Sequence, residues 1–167
     1  VAVEGWGYFP TDGFYDTAQH FKVEHTYANG FKLVHMDMNT AVKQDDRFNL
    51  HWMGILFEGT EGWIYVARDA YYAEPKSLIT QKIAPGDKRI QPFSDDHRQN
   101  FLDSVRGLSQ PASPIDAAFH SDVTCHQAYA AMRVERPLQW DPKTTSFVND
   151  DQANRYLQRA MRQPWHL

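Results

Sequence analysis

One cysteine, Cys125, stands among 167 residues. That excludes an internal disulfide and any metal cluster built on several thiolates. No apolar run approaches the ~20 residues that a membrane-spanning helix needs. There is no block of Lys and Arg, and the formal net charge is −4, so electrostatics points neither to nucleic acid nor to an anionic membrane. The catalytic signatures that announce themselves by glycine are missing as well. There is no G-x-S-x-G elbow and no P-loop. "GWGYFP", residues 5–10, opens like a dinucleotide fingerprint, but Pro10 stands where the third glycine belongs and no helical pattern follows. Internal repeats and low-complexity tracts are absent too.

What is present suits a single domain over residues 1–167, long enough to bury ~70% of its unfolded surface. Aromatic residues make up 14% of the chain, enough to furnish a contact surface as well as a core. The sequence opens on Val1 rather than Met and reads at once as a strand. The expectation is therefore a piece of a longer protein, with part of the function upstream of it.

The first half reads as strands. "QHFKVEHTYANGFKLVHMDM" consists of two runs around Asn29-Gly30, the short hairpin signal in which both central residues take positive φ. With a two-residue turn, Phe21, Val23, His25 and Tyr27 share a face with Lys32, Val34, Met36 and Met38. The other face then sets Lys22 across from Asp37 and Glu24 across from His35. A second hairpin, "FEGTEGWIYVARD", residues 57–69, turns at Gly59-Thr60-Glu61-Gly62. It places Met53, Ile55, Phe57, Ile64 and Val66 on one face and Leu56, Trp63 and Tyr65 on the other. A sheet with one wet face alternates apolar and polar residues, and this hairpin does not. Leu56, Trp63 and Tyr65 are accordingly the expected oligomer interface.

From Ser94 the period becomes helical. Ser94 is the expected N-cap of a first helix, with Asp95 and Asp96 in its first turn, an apolar stripe of Phe101, Leu102, Val105 and Leu108, and Gly107 as its stop. A second helix is expected over residues 116–134, burying Phe119, Val123 and Ala130, with Pro137 just beyond. A third begins near Asn149, with Asp150 and Asp151 in its first turn. Residues 71–92 read as loop. Strands first and helices after is an α+β pattern: an open, mostly antiparallel sheet with helices packed on one face. In the C-terminal tail, Leu157, Met161 and Trp165 are expected to anchor on the body of the domain.

Eight histidines raise the question of a metal. Asp116 with His120, and Asp122 with His126, stand at i,i+4 on a helix, where a carboxylate can reach an imidazole. No third ligand lies at a telling spacing, and ordinary helix charge pairs account for both. His120, Asp122 and His126 remain the candidates for the substrate side. Asp16 and His20 have the same spacing in a loop and strand start, where it brings nothing together. Cys125, in an apolar helical stretch, is expected to be a buried structural thiol. By motif alone, no catalytic, cofactor-binding or metal residue can be assigned.

Three longer segments are more specific. "DHRQNFLDSVRG" at residues 96–107, "SDVTCH" at 121–126 and "WDPKTTSFVNDDQANRYLQRAMRQPW" at 140–165 resemble, in this order, the C-terminal end of oxidoreductases of the Gfo/Idh/MocA family. The tail carries Asp151, Ala153, Asn154, Arg159, Arg162, Pro164 and Trp165, and "GTEGWIYVARD" extends the likeness into the sheet. The resemblance implies a bacterial two-domain parent: an N-terminal Rossmann domain that holds NAD or NADP, and a C-terminal domain that helps form the substrate site and the oligomer contacts. The chain would be the second of these, with no cofactor of its own and the missing Rossmann domain as its partner, in a homo-oligomer built through the sheet face. The family's Glu-Lys-Pro segment is absent, and its D-x-x-x-H pair lies ahead of Val1, so neither role passes to Asp16 or His20.

The expected function is thus the substrate-side and oligomerisation domain of an NAD(P)-dependent sugar or cyclitol oxidoreductase, not catalytic as an isolated piece. The alternative is a stand-alone module that binds a carbohydrate or a protein on the same fold. The expected compartment is the cytoplasm, with export of the parent to the periplasm as the other possibility.

Overall fold

The computed structural model describes residues 1–82, 84, 94–158 and 161–164. The chain divides into two compact units, residues 1–81 with 126–167, and residues 82–125.

In the first unit, the strands described form two antiparallel sheets. Five strands run in the order β3-β2-β1-β7-β8, and three in the order β4-β5-β6. Strand β1 (Ala2–Tyr8) is the middle of the larger sheet, between β2 (His20–Thr26) and β7 (Leu138–Asp141). The edges are β3 (Lys32–Met36) and β8 (Ser146–Phe147). On one face of this sheet Val3, Val23, His25, Leu138 and Trp140 are buried. Helix α4 (Ile115–Val134) buries Ala128, Ala130 and Ala131. Its approach to the sheet depends on Gly7, where an added Cβ would lie 2.9 Å from the Sδ of Met132. A glycine inside a strand marks such a close approach. Arg133 reaches out from the same turn: its guanidinium lies 3.7 Å from the centroid of the Phe9 ring, and its Nε donates to the Tyr129 hydroxyl at 3.1 Å.

The fold class is the expected α+β, but the first hairpin is in a different register. Glu24 faces Val34 and Lys22 faces Met36, one residue away from the expected pairing. Only Gly30 has positive φ, at 84°. The loop therefore has three residues, a type I turn closed by a left-handed glycine. Tyr27 N donates to Phe31 O, Gly30 N donates to Tyr27 O, and Phe31 N donates to the Asn29 side chain. The shift moves His35 to the buried face, where its ring is 5.2 Å from that of His25 and burial lowers its pKa. On the open face Glu24 takes a diagonal partner, with Lys32 Nζ at 2.5 Å from its Oε1.

In the chain, α1 (Met38–Gln44) and a 3₁₀ turn over Asp46–Leu50 connect β3 to β4. Asp37 caps α1. Its carboxylate accepts from Thr40 N, from the Thr40 hydroxyl, from Phe21 N and from His20 Nδ1 at 3.2 Å. Burial acts to raise its pKa, but the hydrogen bonds prevail and hold it far below the carboxylate range. The last α-helical turn is tied down in a similar way. Asp150 caps α5 (Asp151–Asn154), and the Asn154 amide accepts from Phe147 N at 2.7 Å and donates to Phe147 O at 3.0 Å, as a neighbouring strand would.

Several expected boundaries move. Residues 71–74, expected as loop, are strand β6 (Tyr71–Glu74), which pairs with β5 (Gly62–Val66), and α2 (Ser77–Thr80) follows. Of the expected loop, residue 83 and residues 85–92 lie outside the described residues. In the second unit α3 spans His97–Val105. Its N-cap is Asp96, which accepts from Arg98 N and Gln99 N, and Ser94 instead donates to Asp96 O. A carboxylate outcompetes a hydroxyl for two amides at the positive helix end. Gly107, φ 74°, ends the helix as expected: Leu108 N donates to Asp103 O and Gly107 N to Ser104 O, a Schellman closure. Phe101, Leu102, Val105, Leu108 and Phe119, expected in the core, are exposed. Cys125 is exposed as well, so it is a free thiol on the helix surface. Met161 is half exposed, and Trp165 lies outside the described residues.

Asp37→Ala removes the N-cap and leaves four donors to water, which costs about 1–2 kcal/mol at neutral pH. A carboxylate whose native pKa is depressed contributes fully above its unfolded value, 3.8, and less as pH falls below it towards the native value. Urea melts of wild type and variant should therefore differ at pH 7 and converge at strongly acidic pH.

Candidate functional site

The open face of the five-stranded sheet carries an unusual set of side chains. Strand alternation points Glu4 and Trp6 of β1, and Lys22 and Glu24 of β2, to the same side, with Glu4 opposite Glu24 and Trp6 opposite Lys22. The turn that leaves α4 adds Glu135, Arg136 and Pro137. Together with Gly5 these residues line an open cleft of about 420 Å³. Like charges facing each other across a strand pair destabilise a sheet. Lys32 offsets that placement here, since it hydrogen-bonds Glu24 and is also stabilised in its charged form by Glu4.

The floor and rim of the cleft are held in place. Glu24 is engaged by Lys32, whose hydrogen bond lowers the Glu24 pKa although burial opposes it. Lys22 Nζ donates to Gln44 Oε1 at 2.7 Å. Arg136 forks onto Asp150, Nη1 to Oδ2 and Nη2 to Oδ1 at 2.8 Å. The Arg136 hydrogen bond carries the Asp150 pKa down to about 2, against burial and with help from Ala153 N. Glu135 sits in the left-handed region at φ 51°. There it closes α4, its N–H donating to Ala131 O, as left-handed residues at helix ends commonly do. Trp6 stands 46% exposed at this surface.

A second surface belongs to the three-stranded sheet of β4 (Ile55–Gly59), β5 and β6. Its strand pairing sorts the side chains as expected: Ile55 and Phe57 share a face with Ile64 and Val66, and Leu56 lies opposite Tyr65. Which face is covered is the reverse of the expectation. Tyr65 is 0% exposed. Its ring meets Phe48 of the 3₁₀ turn edge-on at 5.9 Å, and its hydroxyl donates to His51 O at 3.0 Å. Arg47 lies over Trp63, 5.5 Å from the ring centroid, and is itself gripped by Asp45 and Glu58. The chain's own turn therefore lies over Trp63 and Tyr65, and Tyr65 is core. The exposed apolar face is the other one, with Ile55 at 59%, Phe57 at 55% and Val66 at 41%, beside an exposed Tyr71.

The remaining candidates all lie on α4. His120 Nδ1 contacts the backbone oxygen of Asp116 at 2.6 Å rather than its carboxylate. At 3.6 residues per turn, Asp122 and His126 share one side of the helix and His120 points about 160° away from Asp122. No group of three metal-ligating side chains occurs among the described residues. His20, not expected to have a role, is oriented by Asp37 and stacked beside Tyr8. Gly5 and Gly7 of "GWGYFP" lie inside β1. That segment is a paired strand and builds no pyrophosphate-binding turn at a helix N-terminus. None of the cleft residues was singled out as a site in the sequence. The signal available was the alternation of Glu4 and Trp6, and of Lys22 and Glu24, which gains meaning only once β1 is known to pair with β2.

The class defined by these features is an α+β domain with an open antiparallel sheet. Residues 13–167 match the model of an oxidoreductase family's C-terminal alpha/beta domain. The chain belongs to the Gfo/Idh/MocA oxidoreductase family, as that C-terminal domain. No curated protein and no solved structure matches it. No helix among the described residues is long and apolar enough to cross a membrane.

Arg136→Gln should release Asp150. In a carbon-detected NMR titration, the midpoint of the Asp150 carboxyl should rise from about 2 towards the ordinary 3.8, with the Glu135 backbone resonances shifting as the turn loosens.

Proposed function

We propose that the chain is the substrate-side and oligomerisation domain of an NAD(P)-dependent sugar or cyclitol oxidoreductase, with the nicotinamide cofactor held by a separate Rossmann domain. The observation that carries this reading is the family match across residues 13–167 as a C-terminal domain. The extended, paired course of the only glycine-rich segment that resembled a dinucleotide turn supports the division of labour. Calorimetric titration of the isolated chain with NAD and with NADP should show no binding in the micromolar range. Micromolar binding by the chain alone overturns the reading.

The oligomer contact belongs to the exposed face of the three-stranded sheet. Ile55, Phe57, Val66 and Tyr71 supply it with large apolar side chains, and such a patch is costly to leave in water. A stable symmetric dimer buries roughly 800 Å² per partner, with the same patch on both copies. Phe57→Glu should leave the thermal melt unchanged and convert a dimer to a monomer in sedimentation velocity, because it would bury an unpaired charge at the contact. A wild type that is already monomeric at high micromolar concentration refutes the contact, as does a variant that remains dimeric.

A further inference from the structure

We infer that the outer edge of β4 pairs with β4 of a second copy of the chain, antiparallel and about a two-fold axis at Phe57, so that the two three-stranded sheets run on as one. This contact lies in the plane of the sheet and leaves both faces open. It is therefore separate from the face contact made by the side chains of Ile55, Phe57, Val66 and Tyr71, and it does not depend on the oxidoreductase reading.

The ladder determines which backbone groups face outward. Ala67 N donates to Ala70 O, and alternation along an antiparallel ladder then turns Trp63 and Tyr65 towards β6, and Gly62, Ile64 and Val66 towards β4. The residues opposite those three, Gly59, Phe57 and Ile55, use their N–H and C=O groups inside the hairpin. Leu56 and Glu58 point theirs outward. Among the described residues, neither makes a backbone hydrogen bond on that side.

Unpaired edges recruit strands unless they are short, covered, charged or stopped by proline. The other three edges have such protection. Strand β8 is two residues long, and β3 begins at Lys32. On β6 the outward residues are Tyr71 and Ala73; Ala73 is buried, and Pro75 follows the strand. Strand β4 has neither lysine nor proline, pairs in unbroken register, and exposes Ile55, Phe57, Glu58 and Gly59. Its one charge, Glu58, is offset by Arg47, 2.7 Å from its carboxylate. The strand is also complementary to itself. With Phe57 at the two-fold axis, Leu56 of each copy exchanges hydrogen bonds with Glu58 of the other, so neither glutamate lies directly opposite its counterpart. The two Phe57 side chains meet at a non-hydrogen-bonded position, an aromatic cross-strand pair that favours association. A contact of this symmetry occupies both edges and closes at the dimer.

Amide hydrogen exchange and sedimentation velocity on Val66→Glu test the pairing, because that substitution spoils the face contact from the central strand and leaves the β4 edge intact. The variant should still dimerise, and exchange at Leu56 and Glu58 should slow at least tenfold between micromolar and millimolar concentration. The Phe57 amide, bonded inside the hairpin, should be slow throughout. In a mixture of isotope-labelled and unlabelled copies, a cross-copy NOE should join the Hα protons of the two Phe57 residues. Leu56→Pro, added to Val66→Glu, removes an outward donor and no hairpin bond, and should yield a folded monomer; Glu58→Pro replaces it if it does not fold. Circular dichroism melts check the variants. If Val66→Glu itself does not fold, the same exchange measurement on the wild type serves, since a face contact leaves those two amides open to water. Val66→Glu protein that stays monomeric at millimolar concentration overturns the proposal, as does a dimer in which Leu56 and Glu58 exchange at the monomer's rate. Dimerisation that the proline variant retains also overturns it, and growth beyond the dimer overturns it in favour of head-to-tail pairing of unlike edges. Because no nucleotide is present and the face contact is already disabled, these outcomes are independent of the NAD and NADP titration and of the face contact.

Discussion

Helix α4 can lie close to the sheet only because the middle strand is nearly bare on that side. Val3 is the one sizeable side chain that β1 sends to the covered face, and Gly5 and Gly7 follow it. A side chain at Gly7 would meet Met132, and one at Gly5 would meet the backbone at Lys22 and Val23. With this contact made, Val23, His25, Leu138 and the alanines of α4 are shut away from water. Burial of that apolar area is the main stabilising term available to the unit.

Covering one face leaves the other to water. Period-two alternation then dictates what is displayed there: Glu4, Trp6, Lys22 and Glu24. The turn after α4 is fixed by the Arg136–Asp150 fork, and Asp150 also caps α5. The same carboxylate thus positions the rim of the cleft and the start of the last helix. Asp37 has an equivalent role at the other end, where it joins the start of β2, the cap of α1 and the imidazole of His20.

The smaller sheet shows how far alternation alone carries an argument. The sets Ile55, Phe57, Ile64, Val66 and Leu56, Trp63, Tyr65 were legible in the residues, because an even loop leaves no freedom in how the side chains sort. Which set is buried was not legible, since both are apolar. The decision is made by the 3₁₀ turn Asp46–Leu50, which brings Phe48 onto Tyr65 and Arg47 onto Trp63. That turn is polar in sequence, and its cover comes from one aromatic side chain and the stem and guanidinium of an arginine.

By itself the sequence determined the family, the α+β class, the extent of α4 to within a residue, and the glycine stop after α3. These depend on local periods, on capping chemistry and on motifs contiguous in the chain. Tertiary structure alone decided the register of the first hairpin, where a three-residue loop with a single left-handed glycine displaced the two-residue turn that Asn29-Gly30 suggests. It also decided which amide donors found a cap, which apolar faces stayed open, and that Glu4 and Trp6 stand beside Glu135 and Arg136. Those last two pairs are separated by some 130 residues of sequence. Only strand pairing and the return of α4 to the sheet bring them together, and a linear pattern contains no term for either.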